Sequence, residues 1–94
     1  MLRMDALARL RRAVSELLPG QPVIVFGSIT KPTRFNADSD VDVALFGEPA
    51  QGTVYGLTAA LEERVGRPVD VVLLGRCRFE AKIRREGELW TNSS

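Results

Sequence analysis

The chain is predicted to fold as a small α/β domain, in which helices pack on one face of a mixed β-sheet. Two patterns predict this fold, because short apolar runs typical of buried strands alternate with segments whose apolar residues recur at helical spacing. The third observation is length, since 94 residues with 45% hydrophobic and 27% charged content suffice for one core but not two. We therefore expect a single domain over residues 1–94, with residues 91–94 as a loose tail.

The predicted elements follow one another as helix, strand, polar loop, strand, helix, strand and helix. Helical spacing of apolar residues places helices near residues 4–18, 54–65 and 79–85, and apolar runs place strands at residues 23–26, 41–46 and 69–74. The three helices are expected to end, in order, at Pro19-Gly20, at Gly66 and at Gly87. Trp90 is interpreted as a core or interface residue.

Composition excludes several classes of function. The formal net charge is +1, and no basic stripe or aromatic platform is present, so nucleic acid is not an expected partner. Histidine is absent, which leaves carboxylates to carry acid–base chemistry and metal binding. A single Cys77 cannot form an internal disulfide, and no signal peptide or membrane-spanning apolar stretch is found. We expect a cytoplasmic protein without membrane association.

Two aspartates alternate with valines at the start of the second predicted strand. In an extended strand Asp40 and Asp42 would point to the same face about 7 Å apart. Their repulsion is tolerable when a cation lies between them, and such oxygen ligands suit Mg²⁺ or Mn²⁺. Nucleotidyl transfer uses metal ions held by carboxylates in this way. The alternative is that residues 36–40 form an ordinary solvated turn.

Two further features strengthen the interpretation as a catalytic site. Gly27 ends the first strand, and Ser28 lies where exposed backbone N–H groups could meet a phosphate. Asp70 lies near the start of the third apolar strand, where a buried charge needs a cation or strong hydrogen bonds. If that strand lies beside residues 41–46, Asp70 could reach the same metal. Otherwise it faces water or pairs with Arg67.

These motifs resemble the signature of the minimal nucleotidyltransferases of the DNA polymerase β superfamily. The matching residues, in order, are Gly27, Ser28, Ser39, Asp40, Asp42 and Asp70. Residues 83–90 resemble the closing helix, glycine and apolar end of that family, so the resemblance covers nearly the whole chain. It implies a polymerase β palm-like nucleotidyltransferase fold and a magnesium-dependent transfer of AMP from ATP. The three aspartates would be the catalytic and metal-binding residues, with Asp70 helping to position or deprotonate the attacking hydroxyl.

The resemblance also implies where the nucleotide binds. Gly27 and Ser28 would hold the β- and γ-phosphates, and Ser39 would belong to the nucleotide site. Lys31 and Arg34 are candidate phosphate contacts or simply soluble loop residues. Family members have a basic residue and a glycine soon after Gly-Ser, whereas this chain has Ile29-Thr30-Lys31-Pro32. Since Pro32 disfavours a helical Lys31, the short helix expected here should be a single turn or absent.

A partner is implied by the resemblance alone. Minimal members of this family are typically encoded beside a HEPN-domain protein and act as its antitoxin. Several are thought to inactivate the toxin by attaching AMP to a tyrosine hydroxyl. The expected role is therefore the antitoxin of a HEPN/MNT toxin–antitoxin pair. The alternative is a catalytically weak or inactive domain that neutralises a HEPN partner by direct binding. The choice of nucleotide, the acceptor and the homo- or hetero-oligomeric state are left open.

Overall fold

The computed structural model describes residues 2–91 of the chain. These residues form three helices and four strands, in the order α1 (Leu2–Leu17), β1 (Val23–Phe26), β2 (Val41–Leu45), α2 (Val54–Val65), β3 (Val69–Leu73), α3 (Glu80–Glu86) and β4 (Glu88–Trp90). Short 3-10 turns follow β1 and β3. The predicted helices and the first three strands are confirmed to within two residues at each end. The exception is β4, which was not predicted. Of the expected tail, residues 92–94 lie outside the described part of the chain.

The four strands form one mixed sheet in the order β3-β2-β1-β4. β1 runs antiparallel to both β2 and β4, whereas β2 and β3 are parallel. The register places Val25 opposite Val43 and Val43 opposite Val71. Because side chains alternate between faces along each strand, this register fixes which residues share a face.

The two long helices cover one face of this sheet. The packing there consists of Leu10 and Val14 of α1 and Leu61 of α2, all with no exposed area, against valines of the strands. The described residues contain no buried polar or charged side chain, so this core is apolar throughout. The expected α/β fold with helices on one face is confirmed for α1 and α2.

The short helix α3 lies against a corner of the opposite face. Its one buried residue, Ile83, packs on Ile24, Ala44 and Leu74. A side chain at Gly87 would collide with Ile24, so glycine lets the chain leave α3 against the sheet and continue into β4. No helix of residues 2–91 covers the rest of that face. Among residues 2–91 no helix combines the length and apolarity needed to cross a bilayer.

Trp90 belongs to the core. Its side chain is only 4% exposed, and its indole Nε1 donates a hydrogen bond to Glu88 Oε1 at 2.8 Å. The guanidinium of Arg11 lies 4.2 Å from the ring centroid, which is cation–π distance. Of the two roles expected for Trp90, the structure selects the core, and the ring connects β4 to α1.

Candidate active site

The side chains of Asp42 and Asp70 lie side by side at one end of the open sheet face. The parallel register of β2 and β3 places Asp42 directly opposite Asp70, and Phe26 of β1 lies on the other side of Asp42. Neighbouring strands are only about 4.8 Å apart, so residues in register have adjacent side chains on one face. From the sequence, Asp70 was expected near Asp42 only if the third strand lay beside the second. This strand pairing is confirmed.

The environment of Asp42 disfavours its negative charge. Three causes together raise the pKa of Asp42 from 3.8 to about 6: partial burial first, then the negative charge of Asp70 and that of Asp40. A cation placed between these carboxylates would oppose all three causes. The electrostatics are therefore those of a site suited to a positive ligand.

Asp40 lies outside this close pair. It is exposed and directly precedes β2, although its charge is near enough to affect Asp42. Within residues 2–91, no three acidic or cysteine side chains are grouped closely enough to form a metal site as they stand. The structure thus brings together two of the three predicted ligands. The donor set of carboxylate oxygens fits a hard divalent cation such as Mg²⁺, and Asp40 is the third candidate ligand.

The turn after β1 needs a glycine. Gly27 has φ = +83°, a left-handed conformation that glycine adopts without steric cost. A Cβ atom at this position would also collide with the Asp42 carboxylate. The absence of a side chain therefore allows the turn and the carboxylate to approach each other.

The turn itself is short, as the sequence predicts. A single 3-10 turn spans Gly27–Thr30, in which Thr30 Oγ1 donates a hydrogen bond to the Gly27 carbonyl at 2.7 Å. Lys31 is extended, with φ = −120° and ψ = 112°, as expected for a residue before proline. The predicted reduction of the short helix to one turn is confirmed.

A cleft of about 480 Å³ opens beside this turn on the uncovered face, a volume typical of small-molecule sites. It brings together five residues that the sequence singled out for nucleotide and metal binding: Gly27, Ser28, Lys31, Arg34 and Asp70. The other lining residues are Phe26, Val72, Cys77, Phe79, Lys82, Ile83 and Glu86. The structure thus supports a common location for these five residues, while their roles stay predictions.

Ser39 lies outside the lining of the cleft. Its Oγ accepts a hydrogen bond from the Asn36 backbone N–H at 3.0 Å, and its carbonyl accepts one from Arg67 at 2.9 Å. Arg67 also donates to the Asn36 carbonyl and lies over the Phe35 ring. Because Arg67 makes these contacts with the polar loop, it does not pair with Asp70. The Arg67–Asp70 pair that the sequence left open as an alternative is therefore wrong. Ser39 shapes the loop that precedes Asp40.

One wall of the cleft, formed by α3, was not predicted from the sequence. The lining residues Phe79, Lys82, Ile83 and Glu86 are spaced i, i+3, i+4 and i+7, which puts them on one helical face. No local pattern revealed this, because α3 has only one buried residue and its place over the sheet is a tertiary feature. One signal was available in retrospect. Lys31 and Lys82 are the only lysines of the chain, and both line this cleft.

Comparison with known proteins identifies the class. The family model described as "Polymerase beta, Nucleotidyltransferase" matches residues 20–94, so the chain belongs to that family. A solved structure described as "Crystal structure of the toxin-antitoxin with AMP-PNP" superposes with a TM-score of 0.66 at 20% identity. The match covers 90% of this chain and 73% of that one. At this identity it shows a shared fold. No curated protein matches the chain. The predicted membership of the polymerase β nucleotidyltransferases is confirmed.

Proposed function

We propose that this domain is a metal-dependent nucleotidyltransferase that transfers AMP from ATP to a hydroxyl group of a partner protein. The observation that carries the proposal is the pairing of Asp42 with Asp70 on the open face, beside the Gly27 turn and the cleft. Membership of the nucleotidyltransferase family supports the reaction class. The similar fold of a protein solved with AMP-PNP supports an adenine nucleotide.

The aspartates would hold the divalent cation. The proposed ligands are Asp40 and Asp42 together with Asp70, which lies next to Asp42 in the sheet register. The bound ion would stabilise negative charge at the α-phosphate as pyrophosphate departs. Asp70 lines the cleft, where its carboxylate can also orient the attacking hydroxyl and take its proton.

The turn after β1 and the loop that follows would bind the phosphates. Gly27 presents its backbone to the cleft without a side chain, and Ser28 lies next to it. Neither Lys31 nor Arg34 has a side-chain partner among residues 2–91, so both positive charges are available to a phosphate. We assign both to phosphate binding, whereas Ser39 acts on the site by shaping the loop.

The partner is proposed to be a HEPN-domain toxin, which this chain would neutralise as a cytoplasmic antitoxin. Two observations support a toxin partner. The structural neighbour is described as a toxin–antitoxin, and the sequence motifs resemble those of the antitoxins paired with HEPN proteins. The acceptor would be a hydroxyl on the toxin, for which tyrosine is the first candidate.

The proposal is tested by mass spectrometry of the partner encoded in the neighbouring open reading frame. After incubation with ATP and Mg²⁺, each transferred AMP should add about 329 Da to the partner, as expected for attack at the α-phosphate. Replacing both Asp40 and Asp42 by alanine should abolish the mass gain and the protection from toxicity. Arg12→Ala, which removes a charge from a different surface, should leave both intact.

A second candidate is neutralisation by binding alone. It is favoured by the reduction of the loop after Gly27 to one 3-10 turn followed by an extended Lys31. Protection that survives the double aspartate variant, with no mass change on the partner, would establish this alternative and refute the enzyme. Asp70→Asn sharpens the choice, because an enzyme with this change should still bind ATP yet transfer AMP slowly.

A further inference from the structure

Most basic side chains of this protein have a partner among residues 2–91. Eight arginines contact acidic side chains or aromatic rings: Arg9, Arg11, Arg64, Arg67, Arg76, Arg78, Arg84 and Arg85. A ninth, Arg3, donates a hydrogen bond to the Ile29 carbonyl. Within the described part of the chain, the side chains left without a partner are Arg12, Lys31, Arg34 and Lys82.

Three of these four unpaired cations line the same cleft. Lys31 and Arg34 come from the loop after β1, whereas Lys82 comes from α3. The fourth, Arg12, lies in a separate shallow depression between α1 and α2. Two carboxylates also line the cleft, but among residues 2–91 neither forms an ion pair with these cations. The three cations therefore repel one another unless an anionic ligand binds between them. Their clustering therefore favours a ligand with several negative charges.

Lys82 is not neutralised by its own helix. Glu86 lies one turn further along α3, but its carboxylate is 3.8 Å from Arg85 and makes no ion pair with Lys82. A lysine that precedes a glutamate by four residues is also the less favourable order for such a pair. The neighbouring Ile83 is buried against the sheet, so it fixes the helix while the exposed Lys82 remains free to reach a ligand.

We propose that Lys82 binds the triphosphate from the α3 wall of the cleft that Lys31 and Arg34 also line. This inference rests on the proposed nucleotide substrate and adds a phosphate-binding residue that the sequence motifs do not contain. An ammonium on a flexible four-carbon stem suits such a contact, because it can follow a phosphate as a point charge. The triphosphate would then be held between the loop after β1 and α3.

The test is isothermal titration with inorganic tripolyphosphate, ATP and AMP in the presence of Mg²⁺. Lys82→Ala should weaken tripolyphosphate and ATP binding about tenfold, the effect of one lost charge-assisted contact. AMP binding should change by less than about twofold, because AMP lacks the β- and γ-phosphates. Lys82→Arg should restore most of the affinity, and the matched control Arg12→Ala should bind like the wild type.

Equal affinity of Lys82→Ala and the wild type for tripolyphosphate would overturn this inference, as would a wild type that does not bind tripolyphosphate. Both outcomes differ from failure of the proposed function, which is absence of AMP transfer to the partner. Lys82 is exposed and unpaired among residues 2–91, so its replacement should not alter the melting temperature. A changed melting temperature with a proportional loss of AMP binding would assign Lys82 a structural role and refute the proposal.

Discussion

The two faces of the sheet are built from the same strands but serve different purposes. Val43 points into the core beneath α1 and α2 and has no exposed area. Its neighbour Asp42 points the other way, toward the uncovered face and Asp70. Alternation along a strand therefore separates the residue that stabilises the fold from the residue proposed for chemistry. One side can be charged because the other side supplies the apolar core.

The two faces also differ in the charged side chains that they contain. The covered face has an apolar core with no buried polar side chain among the described residues. The open face holds a half-buried carboxylate whose pKa is raised to about 6. A protein selected for stability alone would not place like charges in register on adjacent strands. The open face thus carries an energetic cost that the covered face must offset.

The largest expected effect tests the covered face. Leu61→Ala should lower the free energy of unfolding by about 2–5 kcal/mol, because Leu61 has no exposed area and its removal leaves a cavity. The matched control is Leu89→Ala on β4. Leu89 is 58% exposed, so its truncation should cost less than about 0.5 kcal/mol. Urea titration measures both, and similar losses would show that the two faces do not differ in stability.

A smaller effect concerns the junction between the faces at Gly27. Gly27→Ala should cost about 1–2 kcal/mol, because a residue with Cβ is strained at φ = +83°. Gly20→Ala is the control, since Gly20 has φ = +76° but an added Cβ would meet no atom within 4 Å. Both variants should lose similar stability. Only Gly27→Ala should displace the Asp42 carboxylate and weaken Mg²⁺-dependent ATP binding in calorimetry. Equal ATP affinities in the two variants would show that Gly27 does not contribute to nucleotide binding.

Much of this architecture follows from local patterns. Gly66 could be predicted to end α2, and it does so in a left-handed conformation with φ = 81°. Pro32 could be predicted to make Lys31 extended, because that constraint acts between adjacent residues. The proximity of Asp42 and Asp70 could be predicted only as a condition, since strand order depends on the whole fold.

The features that escaped prediction depend on tertiary context. β4 contains only Glu88, Leu89 and Trp90, too few residues to show the alternation that reveals a strand. The position of α3 on the opposite face depends on one buried residue, Ile83. In the sequence Lys82 therefore has the pattern of any exposed helical lysine, and only the three-dimensional structure shows that it lines the cleft. Local sequence signals identified the carboxylates but not the wall facing them.

The smallest expected effect measures the cost of charge on the open face. The pKa of Asp42 is about 6 in the folded state, above its ordinary value of 3.8. Between these values the folded protein binds more protons at Asp42 than the unfolded chain does. By linkage, the contribution of Asp42 to stability therefore falls as pH rises from about 4 to about 6, and then stays constant. Below pH 4 the carboxyl is neutral in both states and costs nothing.

Asp42→Asn should remove this dependence on pH. In a buffer that contains a chelator and no divalent cations, the free energy of unfolding of the variant should rise relative to that of the wild type between pH 4 and pH 6.5. The gain should be about 1 kcal/mol, because the full shift must be discounted for the partial exposure of the side chain. Asp38→Asn, a change in the exposed turn before Asp40, is the control and should follow the wild type. Urea titrations at several pH values give the difference directly. A gap between Asp42→Asn and wild type that does not widen with pH would mean that burial and the neighbouring carboxylates leave Asp42 unperturbed, and the open face would then hold no excess negative charge for a cation to relieve.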